Sequence, residues 1–141
     1  MNFFGGDSVV KIKEENEDLI KQKRIKKELS KLKKIYKDIP KDKMVIVDGL
    51  INRAAFMRIS LEEMEKDIHL NGFVEMFSQS ELQTPYERER PVARLYNSMN
   101  KNYQSIIKEL TSHLKYLDDD HDEVFNTSVI EAFAKRRDRS G

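Results

Sequence analysis

Apolar residues at Ile25, Leu29, Leu32, Tyr36 and Ile39 follow steps of four and three through a segment that is otherwise mostly lysine. Heptad spacing of this kind predicts a helix with one narrow apolar stripe. A lone helix cannot bury such a stripe, so it is expected to dock on another helix. The helical pattern begins near Asp7 or Ser8, either of which can cap it. Pro40 ends it, because proline lacks an N–H and disfavours helix in the residue before it. Residues 1–10, with Gly5-Gly6, are expected to be disordered, which leaves a basic helix over residues 11–39.

A second stripe runs through Val47, Leu50/Ile51, Ala54, Met57, Leu61, Met64 and Ile68, with Asp42 as its candidate cap. Ile46 and Phe56 lie off this track and imply burial on more than one side of the first half. Gly49, Ala54 and Ala55 are small enough for close helix approach. Asn71-Gly72 predicts the end of the helix, with the glycine in a left-handed C′ conformation. Residues 73–84 read as a linker in which Phe73, Val74, Met76 and Phe77 pack locally. Thr84-Pro85-Tyr86-Glu87 has the order of a helix start: threonine cap, proline at the first position, glutamate three after the cap. Pro91 interrupts or restarts that helix. A third stripe follows at Leu95/Tyr96, Met99, Tyr103, Ile106/Ile107, Leu110, Leu114 and Leu117.

Asp118–Glu123 reads as a self-repelling acidic break. Beyond it, Val129, Ile130 and Phe133 predict a short amphipathic helix, capped by Thr127 or Ser128. No repeat and no alternating strand pattern is present. The expected fold is all-α: a long antiparallel helical hairpin over residues 41–117, with a basic N-terminal helix and a short C-terminal helix. The acidic linker and tail occupy residues 118–141. The stripes expose more apolar surface than a two-helix hairpin can bury, which predicts assembly into a homo-oligomer.

Composition narrows the function. Apolar residues make up 38% and charged residues 36% of the 141-residue chain, a balance that suits long helices with single buried stripes. Without cysteine, neither a disulfide framework nor a thiolate metal site can form, and a reducing compartment is the simpler expectation. The opening Met1-Asn2-Phe3-Phe4-Gly5-Gly6 does not read as a signal peptide, and no apolar run is long enough to span a bilayer. His69, His113 and His121 have no partner at zinc-ligand spacing, and Asp118–Glu123 lacks the glycine and the spacing of a calcium loop. No phosphate-cradling glycine loop or nucleophile elbow occurs. The expectation is therefore a non-enzyme without cofactor or metal.

Charge supplies the strongest positive signal. Net charge is +1, yet Lys21, Lys23, Arg24, Lys26, Lys27, Lys31, Lys33, Lys34 and Lys37 crowd one helix with Glu28 as the only acid among them. A helix so charged attracts phosphates and releases counterions, which makes these nine residues the candidate duplex-DNA contacts. The bland alternative is a solvated lysine face. With Tyr36 as its only aromatic residue, the run does not suit base stacking on single strands, and it lacks the Trp or Phe of a membrane-surface helix. Arg88 and Arg90, in Tyr86-Glu87-Arg88-Glu89-Arg90-Pro91, read either as local ion pairs or as an intersubunit or phosphate clamp. In the tail, Val129, Ile130, Phe133, Arg136 and Arg137 are the candidate partner-binding residues.

Several stretches together carry a family resemblance. They are Leu32-Lys-Lys-Ile-Tyr-Lys-Asp-Ile-Pro-Lys-Asp-Lys, Val47-Asp-Gly-Leu-Ile-Asn-Arg-Ala-Ala-Phe-Met-Arg, Asn71-Gly72, Tyr86-Glu-Arg-Glu-Arg-Pro-Val-Ala-Arg-Leu-Tyr-Asn and Tyr103-Gln-Ser-Ile-Ile-Lys-Glu-Leu. Their order resembles small terminase subunits of tailed phages that infect Gram-positive bacteria, over roughly Leu32 to Leu117. The resemblance implies a virus-encoded protein of the host cytoplasm with no catalytic residues of its own. Such a protein recognises phage DNA, forms a ring, and delivers DNA to a large terminase subunit that holds the ATPase and nuclease. This chain shows no clean helix-turn-helix before its long helices, so the basic helix stands in as the DNA-binding candidate. The alternative is a helical phage structural or regulatory adaptor that does not bind DNA.

Overall fold

The computed structural model describes the backbone of residues 5–138, with side chains over residues 6–114, 130–132 and 134–135. The fold is mostly helical. Helix α1 (Gly5–Ile35) leads through a tight turn to α2 (Lys41–Asn71). A two-stranded antiparallel ribbon follows, β1 (Val74–Phe77) with β2 (Tyr86–Glu89), and α3 (Pro91–Asp138) completes the chain.

α2 is the central element, and both other helices run antiparallel to it. Against α1, Lys21 pairs with Glu63 and Lys33 with Asp48. Against α3, the Tyr96 hydroxyl reaches Glu65, and Arg58 and Tyr103 line one pocket. In each case numbers rise on one helix as they fall on the other. All three helices meet in one core of Tyr36, Ile39, Val47, Ile51, Ala54 and Leu110, with Leu29, Leu32, Ile106, Ile107 and Leu114 packed around it. The stripe that begins at Ile25 thus delivers Leu29, Leu32, Tyr36 and Ile39 to α2.

The helix ends differ from expectation in instructive ways. Residues 5–10 form the first turns of α1, with Asp7 in the first turn complementing the helix dipole. At its other end α1 stops at Ile35, and a turn closed by Ile39 N–H on the Tyr36 carbonyl brings both side chains into the core. α2 starts at Lys41 with Pro40 at the cap position and no side-chain cap, so Asp42 is not the cap. α2 does end at Asn71. Gly72 has φ 79° and ψ −179° and donates to the Ile68 carbonyl. Its φ is positive but its ψ is extended, so Gly72 is not in the left-handed helical conformation expected of it; this region is open essentially to glycine alone.

Burial of α2 also departs from the predicted track. Ile46 and Phe56 are exposed, and the second buried side is made by Ala55 and Ile59 instead, with Ser60 buried elsewhere on the helix. Ala54 and Ala55 are fully buried, whereas Gly49 lines a surface groove. On α3, Leu95 is exposed and Ala93 is buried.

Two larger corrections concern the connections. The stretch read as a linker and helix start is a β-ribbon, with Phe77 opposite Tyr86 and Glu75 opposite Arg88. Thr84-Pro85 lies in its loop, and helix begins only at Pro91, in proline's favoured first position. The acidic stretch at residues 118–123 is no break: α3 runs through it and through Thr127 and Ser128 to Asp138. Like charges along a helix cost only tenths of a kcal/mol per pair, and this stretch has no glycine or proline to stop the backbone. The C-terminal segment is therefore an extension of α3, not a separate short helix.

Candidate nucleic-acid interface

α1 sorts its cations into two sets. The first faces α2 and is engaged there. Lys21 Nζ lies 2.9 Å from Glu63, Arg24 Nη2 lies 2.5 Å from Glu62, and Lys33 Nζ lies 3.7 Å from Asp48. Lys31 turns to Glu28 within its own helix at 3.6 Å. Glu62 is shared, since Arg58 Nε donates to its second oxygen at 3.1 Å. Burial works to raise the Glu62 pKa, but the hydrogen bonds from Arg58 and Arg24 outweigh it and hold the carboxyl below its ordinary value.

The second set is Lys23, Lys26, Lys27, Lys34 and Lys37. All five are exposed, and none has an ion-pair partner among the described residues. Their places follow from helical geometry. At 3.6 residues per turn, Lys23, Lys27 and Lys34 stand on the pole of α1 opposite the buried stripe of Leu29, Leu32 and Tyr36. Lys26 flanks them, and Lys37 follows in the turn. Lys23 and Lys34 are about 16 Å apart along the axis at 1.5 Å per residue. This row of unpaired ammonium groups on a rigid helix is suited to lie along a run of phosphates.

The nine residues singled out from the sequence are thus all on α1 or its turn, but they do not form one surface. Lys21, Arg24, Lys31 and Lys33 are engaged within the chain, and the other five point outward. Lys41, exposed just after the turn, extends the basic surface beyond the stretch that the charge count marked. Of the tail candidates, Ile130 is 67% exposed. The side chains of Val129, Phe133, Arg136 and Arg137 lie outside the described residues, as does that of His121. Arg88 and Arg90 are held within the chain by Glu75 and Asp67. Among the described residues no group of three or more histidine or acidic side chains is placed to hold a metal ion. No helix among them is long and apolar enough to cross a membrane.

The ribbon was invisible to sequence reasoning. Its strands have four residues each, too few for an alternating pattern to stand out. The pairing of Glu75 with Arg88 was the available signal, and it spans thirteen positions. Comparison of the chain with protein-family models, with curated proteins and with solved structures returned no match.

Proposed function

We propose that this chain is a non-catalytic DNA-packaging factor of a tailed phage, a small terminase subunit. In this reading it binds duplex phage DNA, assembles with copies of itself in the host cytoplasm, and recruits a large terminase subunit that carries the ATPase and nuclease. The observation that carries the DNA-binding part is the sorting of α1. Its inward cations are neutralised by α2 carboxylates, while Lys23, Lys26, Lys27 and Lys34 stand outward and unpaired on one side. Each phosphate such a lysine neutralises releases a counterion, so affinity falls with salt. Lys33 contributes less, because Asp48 already competes for it.

The test is a duplex titration across salt concentrations with Lys23, Lys26, Lys27 and Lys34 all changed to Glu. The four-fold variant is expected to keep its helicity and oligomeric state and to lose duplex binding. For the unaltered chain, log affinity should fall with log salt at a slope of roughly −3 to −4 if these four sites act. Unchanged binding, or a slope near zero, rejects the reading.

The recruiting role belongs to the end of α3, where Val129, Ile130, Phe133, Arg136 and Arg137 lie. Deleting residues 124–141 should leave assembly and DNA binding intact and abolish capture of the large subunit in a pull-down. A truncated chain that falls into smaller species instead places this segment in the oligomer's own core.

A second reading, a helical adaptor without DNA binding, is favoured by one observation: Lys21, Arg24, Lys31 and Lys33 already have carboxylate partners within the chain. The same titration separates the two.

A further inference from the structure

The β-ribbon has two unlike faces. On one, Arg88 Nη2 lies 2.7 Å from Glu75, its guanidinium carbon sits 3.3 Å from the Phe77 ring centroid, and Tyr86 meets Phe77 edge-on. These four side chains satisfy one another. The other face carries Val74 opposite Glu89 and Met76 opposite Glu87. Met76 is 68% exposed and Val74 48%. Glu87 has no ion-pair partner among the described residues, and Glu89 has only a loose contact with Arg94 at 3.8 Å. The uncovered face is apolar and acidic.

A second uncovered surface lies on α2, on the side opposite Val47, Ile51 and Ala54. There Gly49, Asn52, Arg53, Phe56 and Met57 line an open groove of about 530 Å³, with exposed Val45 and Ile46 at one end. Gly49 leaves it open: among the described residues a Cβ there would meet only Arg53 Nη1, at 3.5 Å. Arg53 donates weakly to the Gly49 carbonyl at 3.4 Å and has no carboxylate partner among the described residues. Lys21 lies over the Phe56 ring, 5.5 Å from its centroid. This surface is apolar and basic.

We infer that the two surfaces dock on each other between copies of the chain: the ribbon of one copy seats Val74 and Met76 in the α2 groove of the next, with Glu87 against Arg53. The match is one of charge as well as apolarity, since each surface holds an unpaired charge of the sign that the other lacks. A ribbon cannot serve its own groove. Met76 is four residues beyond Gly72, within about 14 Å of it even when fully extended. Phe56 is sixteen residues back along α2, about 24 Å away. The contact joins unlike surfaces, so it is head-to-tail and propagates until it closes into a ring or runs on as a filament. The inference rests on the self-association in the function proposed above, not on its DNA binding.

The test uses two full-length variants, Met76→Asp for the ribbon and Phe56→Asp for the groove, sized by light scattering after gel filtration. Both side chains are largely exposed, and far-UV circular dichroism checks that each variant keeps its helices. Each alone is expected to be monomeric under conditions where the unaltered chain assembles. Mixed in equal amounts they should form a dimer that grows no further, because one intact ribbon then meets one intact groove. A second pair, Glu87→Arg and Arg53→Glu, should weaken assembly singly and restore it when combined in one chain. Assembly of either aspartate variant to its normal size overturns the inference, as does a mixture that stays monomeric. A monomeric unaltered chain overturns it together with the proposed self-association, while the duplex titration still decides DNA binding by itself.

Discussion

Arg90 grips Asp67 across the junction of α2 and the ribbon: its Nη2 lies 2.9 Å from Asp67 Oδ2, and its Nη1 donates to the Gly72 carbonyl at 2.8 Å. Its backbone N–H donates to the Phe73 carbonyl at 2.8 Å, and Asn71 braces the other oxygen of Asp67. One side chain, only 17% exposed, thus ties the end of α2 to the start of α3. Hydrogen bonds from Asn71 and Arg90 hold the Asp67 carboxyl below its ordinary pKa.

Arg90→Ala should loosen the ribbon without unfolding the helices. Amide hydrogen exchange in residues 73–90 is expected to speed up by at least about tenfold, since the loss of either of the two Arg90 side-chain hydrogen bonds alone accounts for that much. Exchange in the middle of α2 should be unaffected. Equal acceleration in both places would show that Arg90 supports the whole fold instead.

Gly72→Ala should destabilise the chain by about 1–3 kcal/mol, measured by denaturant unfolding. Among the described residues no heavy atom outside the glycine's immediate neighbours lies within 4 Å of where its Cβ would stand, so the cost is one of backbone conformation, not of crowding. Gly49→Ala, at a helical position with only a flexible arginine tip nearby, should instead be neutral or stabilising.

Ser60→Ala should raise stability by about 1 kcal/mol. Ser60 is 5% exposed, and its hydroxyl oxygen has no hydrogen-bond partner among the described residues. Removing the hydroxyl relieves an unsatisfied polar group, and alanine is the better helix former. A lower denaturation midpoint would mean that the hydroxyl finds a partner in solution, such as a bound water.

Acid should weaken the α1–α2 contact through Glu62. Its pKa is lower in the folded chain than its ordinary 4.5, so between the two values the unfolded chain binds more protons. The stabilisation is therefore fully present above 4.5 and is lost as pH falls through the folded value. The effect is modest, because more than a third of the side chain is exposed to solvent. Denaturation midpoints followed from about pH 6 down to about pH 3 should fall more steeply for the unaltered chain than for Glu62→Gln. Parallel curves would remove Glu62 from the contact.

The sequence alone determined what depends on near neighbours along the chain. The stripe of Leu29, Leu32, Tyr36 and Ile39, the break between two helices near Pro40 and the glycine after Asn71 are local signals, although α1 already stops at Ile35 and Pro40 takes the cap position of α2. Helical hydrogen bonds span four residues, so periodicity and punctuation suffice to place them. Partnership across the fold was decided only in three dimensions. Thr84-Pro85-Tyr86-Glu87 satisfies the local rules of a helix start, yet Tyr86 and Arg88 are drawn into a strand by Phe77 and Glu75, which lie nine and thirteen positions away. Nine cations on one helix and its turn look alike in sequence. Which of them meet Glu62, Glu63 and Asp48, and which stay unpaired among the described residues, is settled by how α1 packs on α2. The same packing leaves Phe56 and Val45 exposed although both are apolar, because a helix flanked by two others has a third side that no helix among the described residues covers.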